Sequence, residues 1–311
     1  MLTQLKGKDF LTLLDFSSEE VQFLLDYAVE LKENFQQGEE THLLKGKTLA
    51  MIFEKHSTRT RISFEVGMTH LGGNGMFLHS RDLQIGRGET VHDTAKVLSE
   101  FVDGIMIRAN SHEMVEELAE HASIPVINGL TDVYHPAQAM ADLLTILEVK
   151  GSLKGLKLAY VGDGNNVAHS LMIAGAHMGM ELTVATPKGY EFDEAIGQQV
   201  KALAEKNGGS FMTTYDATEA VQQADAIYTD VWTSMGQEEE SAQRLIAFKD
   251  YQINDALVSH AKDDYMFLHC LPAHREEEVA TSVIDGPNSY VFHQAGNRLH
   301  AQKAILAALM Q

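Results

Sequence analysis

The chain is short of cysteine and of positive charge. Its single cysteine, Cys270, leaves no intrachain disulfide to form, which fits a reducing cytoplasm. Lysine and arginine number 24 against 44 acidic residues, for a net charge of −20. That balance argues against nucleic acid or an anionic membrane surface as a partner. A small anion stays open, but only at a local cluster of positive groups. No apolar run reaches the ~18 residues of a membrane span, so none is expected. The opening stretch MLTQLKGKDFLTLLDF scatters charge through the region where a secretory leader needs unbroken apolar sequence, so no signal peptide is expected. Low-complexity segments and short repeats are missing too.

What is present is ample apolar sequence. With 311 residues, 44% of them hydrophobic, the chain has material for about two cored domains. SSEEVQFLLDYAVELKENF reads as an amphipathic helix. Ser17 and Glu20 form a capping box, and Val21, Leu24, Leu25, Ala28 and Leu31 share a face. Beyond it, short apolar runs alternate with helical ones: TLAMIF, GIMIR and IPVINGL each lead into a helix. This rhythm predicts parallel sheets flanked by helices, an α/β fold. KGSLKG at 150–155 interrupts it, after which KLAYVG, LTVATP, AIYTDVW and YMFLHCL restart it. Two doubly wound parallel-sheet domains follow, 1–149 and 150–296, joined by interdomain helices. The C-terminal helix 297–311 is expected to pack back on the first.

Several strand ends carry chemistry. TLAMIF runs into STRTR, where a helix N-terminus offers free backbone N–H groups and a positive dipole end. Ser57, Thr58 and Thr60 add hydroxyls, and Arg59 and Arg61 add forked donors suited to phosphate oxygens. The same pattern also describes an ordinary helix cap with surface arginines. The Walker spacing is absent. Arg108 closes GIMIR, at the sheet edge where open α/β folds bind ligands. In YHPAQ, Pro136 suits the first helical position. That makes His135 the N-cap and Gln138 the third helical residue, both able to donate toward a carbonyl oxygen. A structural histidine cap fits equally well.

VGDGNNVAHS has part of a dinucleotide fingerprint, but Val167 replaces the third glycine. Thr186 stands where an acidic residue would hold a ribose, so a nucleotide is disfavoured. Asn165 and Asn166 are suited instead to a polar substrate. TDVWTSMG offers Asp230 for an ammonium, with Ser234 and backbone groups for a carboxylate. The acidic run after it reads as a solvated helix start. His269, Cys270 and His274 in HCLPAHR match no standard zinc spacing, so no metal is expected. Arg298 begins the last helix.

Taken in order, FEKHSTRTR, HPAQ, DVWTSMG and HCLPAHR resemble the aspartate/ornithine carbamoyltransferase family along the whole chain. The resemblance implies that the anion is carbamoyl phosphate. It assigns Ser57, Thr58, Arg59, Thr60, Arg108, His135, Gln138, Cys270, Leu271 and Arg298 to that ligand. Gln84, in the LQIGRGE loop, would be given to a neighbouring subunit's site in a homotrimer. Asn166, Asp230, Ser234 and Met235 would bind the amino acid. The SMG loop points to ornithine, since aspartate- and putrescine-using relatives depart there. The implied reaction moves the carbamoyl group to the δ-amine of L-ornithine, giving L-citrulline. Arg108, His135 and Cys270 would act in catalysis, with no cofactor. A putrescine or other amine carbamoyltransferase is the alternative.

Overall fold

The computed structural model describes residues 1–85, 87–233 and 238–311. Among them, nine strands form two all-parallel sheets, so the α/β expectation of two parallel-sheet domains holds. The chain divides into one unit of Met1–Leu144 with Gly296–Gln311, and a second of Thr145–Ala295.

The first unit holds β1 (Thr48–Phe53), β2 (Asn74–His79), β3 (Gly104–Arg108) and β4 (Val126–Leu130), in the order β2-β1-β3-β4. Burial follows the order. β3 is buried along its whole length and β1 beyond its first residue, while the edge strand β2 is only half covered. Strands buried on both faces read as unbroken apolar runs, which is why TLAMIF and GIMIR were legible. Ile52, Ile105, Ile107, Val115, Leu118 and Val126 lie in one core cluster. The helix Ser18–Gln36 has the capping box its sequence predicts. Glu20 N donates to Ser17 Oγ at 3.2 Å, and Ser17 N donates to the Glu20 carboxylate at 2.8 Å.

The second unit holds β5 (Lys157–Val161), β6 (Glu181–Ala185), β7 (Ser210–Thr214), β8 (Ala226–Thr229) and β9 (Met266–His269), in the order β7-β6-β5-β8-β9. Its core gathers Val161, Ile227, Trp232, Phe248 and Phe267.

Each sheet has one point where the strand order reverses. In the first unit it falls between β1 and β3, in the second between β5 and β8. Helices from successive strands leave to opposite faces there, opening a crevice at the carboxyl ends. The crevice edges are therefore the STRTR turn with Arg108, and the Asp163–Asn166 turn with Asp230. Among the described residues, no helix is long and apolar enough to cross a membrane.

Candidate active site

In the first unit the anion-binding candidates converge. β1 ends at Phe53, and the helix Thr58–His70 starts five residues on. Ser57 is its N-cap, accepting from Thr60 N at 3.2 Å. Thr60 is fully buried, and its hydroxyl receives Arg298 Nη2 at 2.9 Å from 238 residues away. Arg108, at the end of β3, is 7% exposed, and His135, just before the helix Pro136–Lys150, is 4% exposed. Burial, then the charges of Arg298, Arg108 and Arg59, hold the His135 imidazole well below its ordinary pKa. The ring is thus neutral at pH 7, and three guanidiniums lie close enough to act on it. Positive groups gathered on a buried neutral donor suit a phosphorylated ligand with a carbonyl beside it.

Two sequence expectations change here. Arg61 does not join the cluster. Its guanidinium lies 3.8 Å from the Phe77 ring centroid and 3.5 Å from Glu65, because two residues past Arg59 the helix has turned it onto the opposite face. Gln138 does not present its amide nitrogen to a carbonyl. That nitrogen donates to Asp142 Oδ1 at 2.8 Å, so the amide offers its oxygen instead. Thr58 and Gln84 are exposed.

In the second unit the polar candidates also meet. Asp230 follows β8 and is 6% exposed. One carboxylate oxygen receives Asn165 Nδ2 at 2.9 Å and the other receives Cys270 Sγ at 3.0 Å. Asn165, rather than Asn166, is the N-cap of the helix Asn166–His177. Its Oδ1 accepts from Val167 N and Ala168 N. No ion pair reaches Asp230 among the described residues, so a buried carboxylate stands ready for a cationic ligand group. Ser234 and Met235 lie outside the described residues. The glycines after β5 serve the fold. A Cβ on Gly164 would meet the Glu191 carbonyl oxygen and Phe192 nitrogen at 2.4 Å.

Leu271 adopts φ 57°, and its N–H donates to His269 Nδ1 at 2.8 Å. The other ring nitrogen of His269 faces Glu278 Oε1 at 3.1 Å, both side chains being fully buried. Asp230, His269 and Cys270 bring ligand-type atoms within 4.8 Å of one another, but both nitrogens of His269 are already engaged within the protein.

Sequence reasoning missed Arg244. It is buried and donates to Asp163 Oδ2 at 2.8 Å, to the Trp232 carbonyl at 2.9 Å and to Glu240 at 3.1 Å. It thereby ties the β5 turn to the segment after β8. Burial pushes the Asp163 carboxyl up, while Arg244 pulls it down. The only sequence hint was the i,i+4 spacing of Glu240 and Arg244.

Each unit thus gathers its polar candidates at the carboxyl edge of a parallel sheet, beside the point where the strand order reverses. Residues 8–148 match the family model for the carbamoyl-P binding domain of aspartate/ornithine carbamoyltransferase, and residues 154–309 match its Asp/Orn binding domain. The chain belongs to the aspartate/ornithine carbamoyltransferase family. It is 64% identical over 307 residues to the ornithine carbamoyltransferase of Anoxybacillus flavithermus, covering 99% of this chain and 98% of that one. It is 63% identical over 308 residues to that of Bacillus subtilis, covering 99% and 95%. Its fold is similar to the solved ornithine carbamoyltransferase of Pyrococcus furiosus, with a TM-score of 0.96 at 57% identity over 98% of both chains.

Proposed function

We propose that this chain transfers the carbamoyl group of carbamoyl phosphate to the δ-amine of L-ornithine, a step of arginine metabolism. The observation that carries the reading is the buried His135, held neutral among Arg59, Arg108 and Arg298 at the β1–β3 switch point. The names of the relatives supply the amino-acid substrate.

Carbamoyl phosphate binds the first unit. Backbone N–H groups after Ser57, with the Arg59 side chain, hold its phosphate. Arg108, His135 and Thr60 donate to the carbonyl oxygen, with Arg298 supporting Thr60. Ornithine binds the second unit, its α-ammonium on Asp230, with Asn166 toward its carboxylate. The uncharged δ-amine attacks the carbonyl carbon, and its lone pair becomes the new C–N bond. Charge collects on the carbonyl oxygen, where fixed donors stabilise it more than the ground state. The intermediate then expels phosphate, which leaves with the electrons of the C–O bond. The departing phosphate takes up the amine proton, with Cys270 and Asp230 orienting the attacking nitrogen. This chemistry calls for no metal or organic cofactor. Much of the acceleration comes from holding two reactants together.

A homotrimer with shared sites completes the proposal, Gln84 serving a neighbouring subunit. Its support is a set of exposed apolar side chains in the first unit, with Ile62 54%, Met76 44%, Val97 45% and Phe101 76% exposed. The lone cysteine and the acidic charge fit a cytoplasmic location.

The deciding experiment is a citrulline colour assay on purified protein, with kcat/KM measured for ornithine, putrescine and lysine under one condition. Ornithine should lead. Lysine places its amine one methylene too far and should lose more in kcat than in binding. If putrescine matches or exceeds ornithine, the enzyme is an amine carbamoyltransferase of the alternative kind.

A further inference from the structure

Gln138 and Asp142 sit one turn apart on the helix Pro136–Lys150, and both are buried. The 2.8 Å bond runs from Gln138 Nε2, which can only donate, to Asp142 Oδ1. The amide is thereby locked with its nitrogen toward Asp142 and its oxygen on the other side. That oxygen, Gln138 Oε1, is buried and has no hydrogen-bond partner among the described residues. Leaving a buried amide oxygen without a donor is costly, so the site is built for an N–H to arrive there. The guanidiniums near His135 are donors and could fill that role, yet none reaches Gln138 Oε1 among the described residues.

We propose that Asp142 is a positioning residue that sets donor specificity. By fixing the Gln138 amide, it makes the first unit select an acyl phosphate bearing an amino group over one bearing a methyl group. The inference rests on the proposed binding of carbamoyl phosphate in this unit. A neutral residue at 142 frees the amide to turn over and present its nitrogen. The methyl-bearing ligand then no longer leaves an oxygen stranded, and the amino-bearing one loses its acceptor.

The test compares carbamoyl phosphate with acetyl phosphate, using dissociation constants from calorimetry on the full-length protein. Asp142→Asn should lower the preference for carbamoyl phosphate by ~10-fold, the size of one hydrogen bond to a ligand. Asp142→Thr, whose hydroxyl both donates and accepts, should do the same and stands in if the Asn variant does not fold. In a Gln138→Met background, which has already lost the preference, the change at 142 should have no further effect. Equal weakening of both ligands in the single variants would show a merely structural role and overturn the proposal. So would a change at 142 that persists without Gln138. Because binding alone is read, failure of the wild type to form citrulline would sink the proposed function without touching this result.

Discussion

The Arg298 guanidinium donates to the Thr60 hydroxyl at 2.9 Å, joining the last helix to the first turn after β1. Thr60 is fully buried and Arg298 nearly so. The bond orients a hydroxyl in the first turn of the helix whose N-terminus is the proposed phosphate site. Arg298→Gln should weaken carbamoyl phosphate binding by about 1.5–3 kcal/mol, the worth of a hydrogen bond to a charged group. Calorimetry should show this while ornithine affinity in the second unit is little changed. Retained carbamoyl phosphate affinity would remove Arg298 from the site.

The two arginines of STRTR should separate cleanly. Arg59 acts on His135, whereas Arg61 rests on Phe77 and Glu65. Arg59→Ala is expected to cost 10-fold or more in carbamoyl phosphate affinity, about 1.4 kcal/mol at least. Arg61→Ala should alter that affinity little and stability by at most ~1 kcal/mol, since its partners are surface groups. The reverse ranking would mean that the phosphate approaches from the Phe77 side.

Acidification should destabilise the fold through His135. Its folded pKa lies well below the ordinary 6.5, so the unfolded chain takes up the proton first. The stability it contributes is full above the unfolded pKa and falls as pH drops from there toward the folded value. His70 and His112 are shifted the same way, chiefly by burial, and add to the trend. Urea midpoints at pH 7.5 and 5.5 should fall in the wild type and fall less in His135→Gln. An equal drop in both would place the acid sensitivity elsewhere.

Subunit sharing can be checked by complementation. Gln84→Ala and Asp230→Asn should each be inactive alone. Mixed and reassembled, some sites would pair an intact Gln84 with an intact Asp230, and citrulline formation should return in part. Mixed oligomers that form and stay inactive would show that Gln84 serves its own chain or is dispensable.

Sequence by itself determined seven of the nine described strands, the capping box and the motif-bearing turns, for a local reason; the partly exposed edge strands β2 and β7 carry no apolar run to announce them. Buried parallel strands must be apolar runs, and helix starts must carry capping side chains, so TLAMIF, GIMIR, Ser17 and Ser57 announce themselves. The family motifs gave the candidate residues, most of them just after strand ends, with Gln138 and Arg298 inside helices. What only the tertiary structure decided is which atoms those residues show. Arg59 and Arg61 have the same chemistry, yet helical rotation sends one toward His135 and the other onto Phe77. Asn165 and Asn166 are neighbours, and it is Asn165 that caps the helix and donates to Asp230. Gln138 reads as a donor toward a carbonyl until Asp142 engages its nitrogen, and Arg244, which the sequence did not single out, is buried against Asp163 and the Trp232 carbonyl. The pairs Arg298–Thr60 and Arg244–Asp163 exist only because the fold brings distant segments together, and spacing along a chain does not encode them.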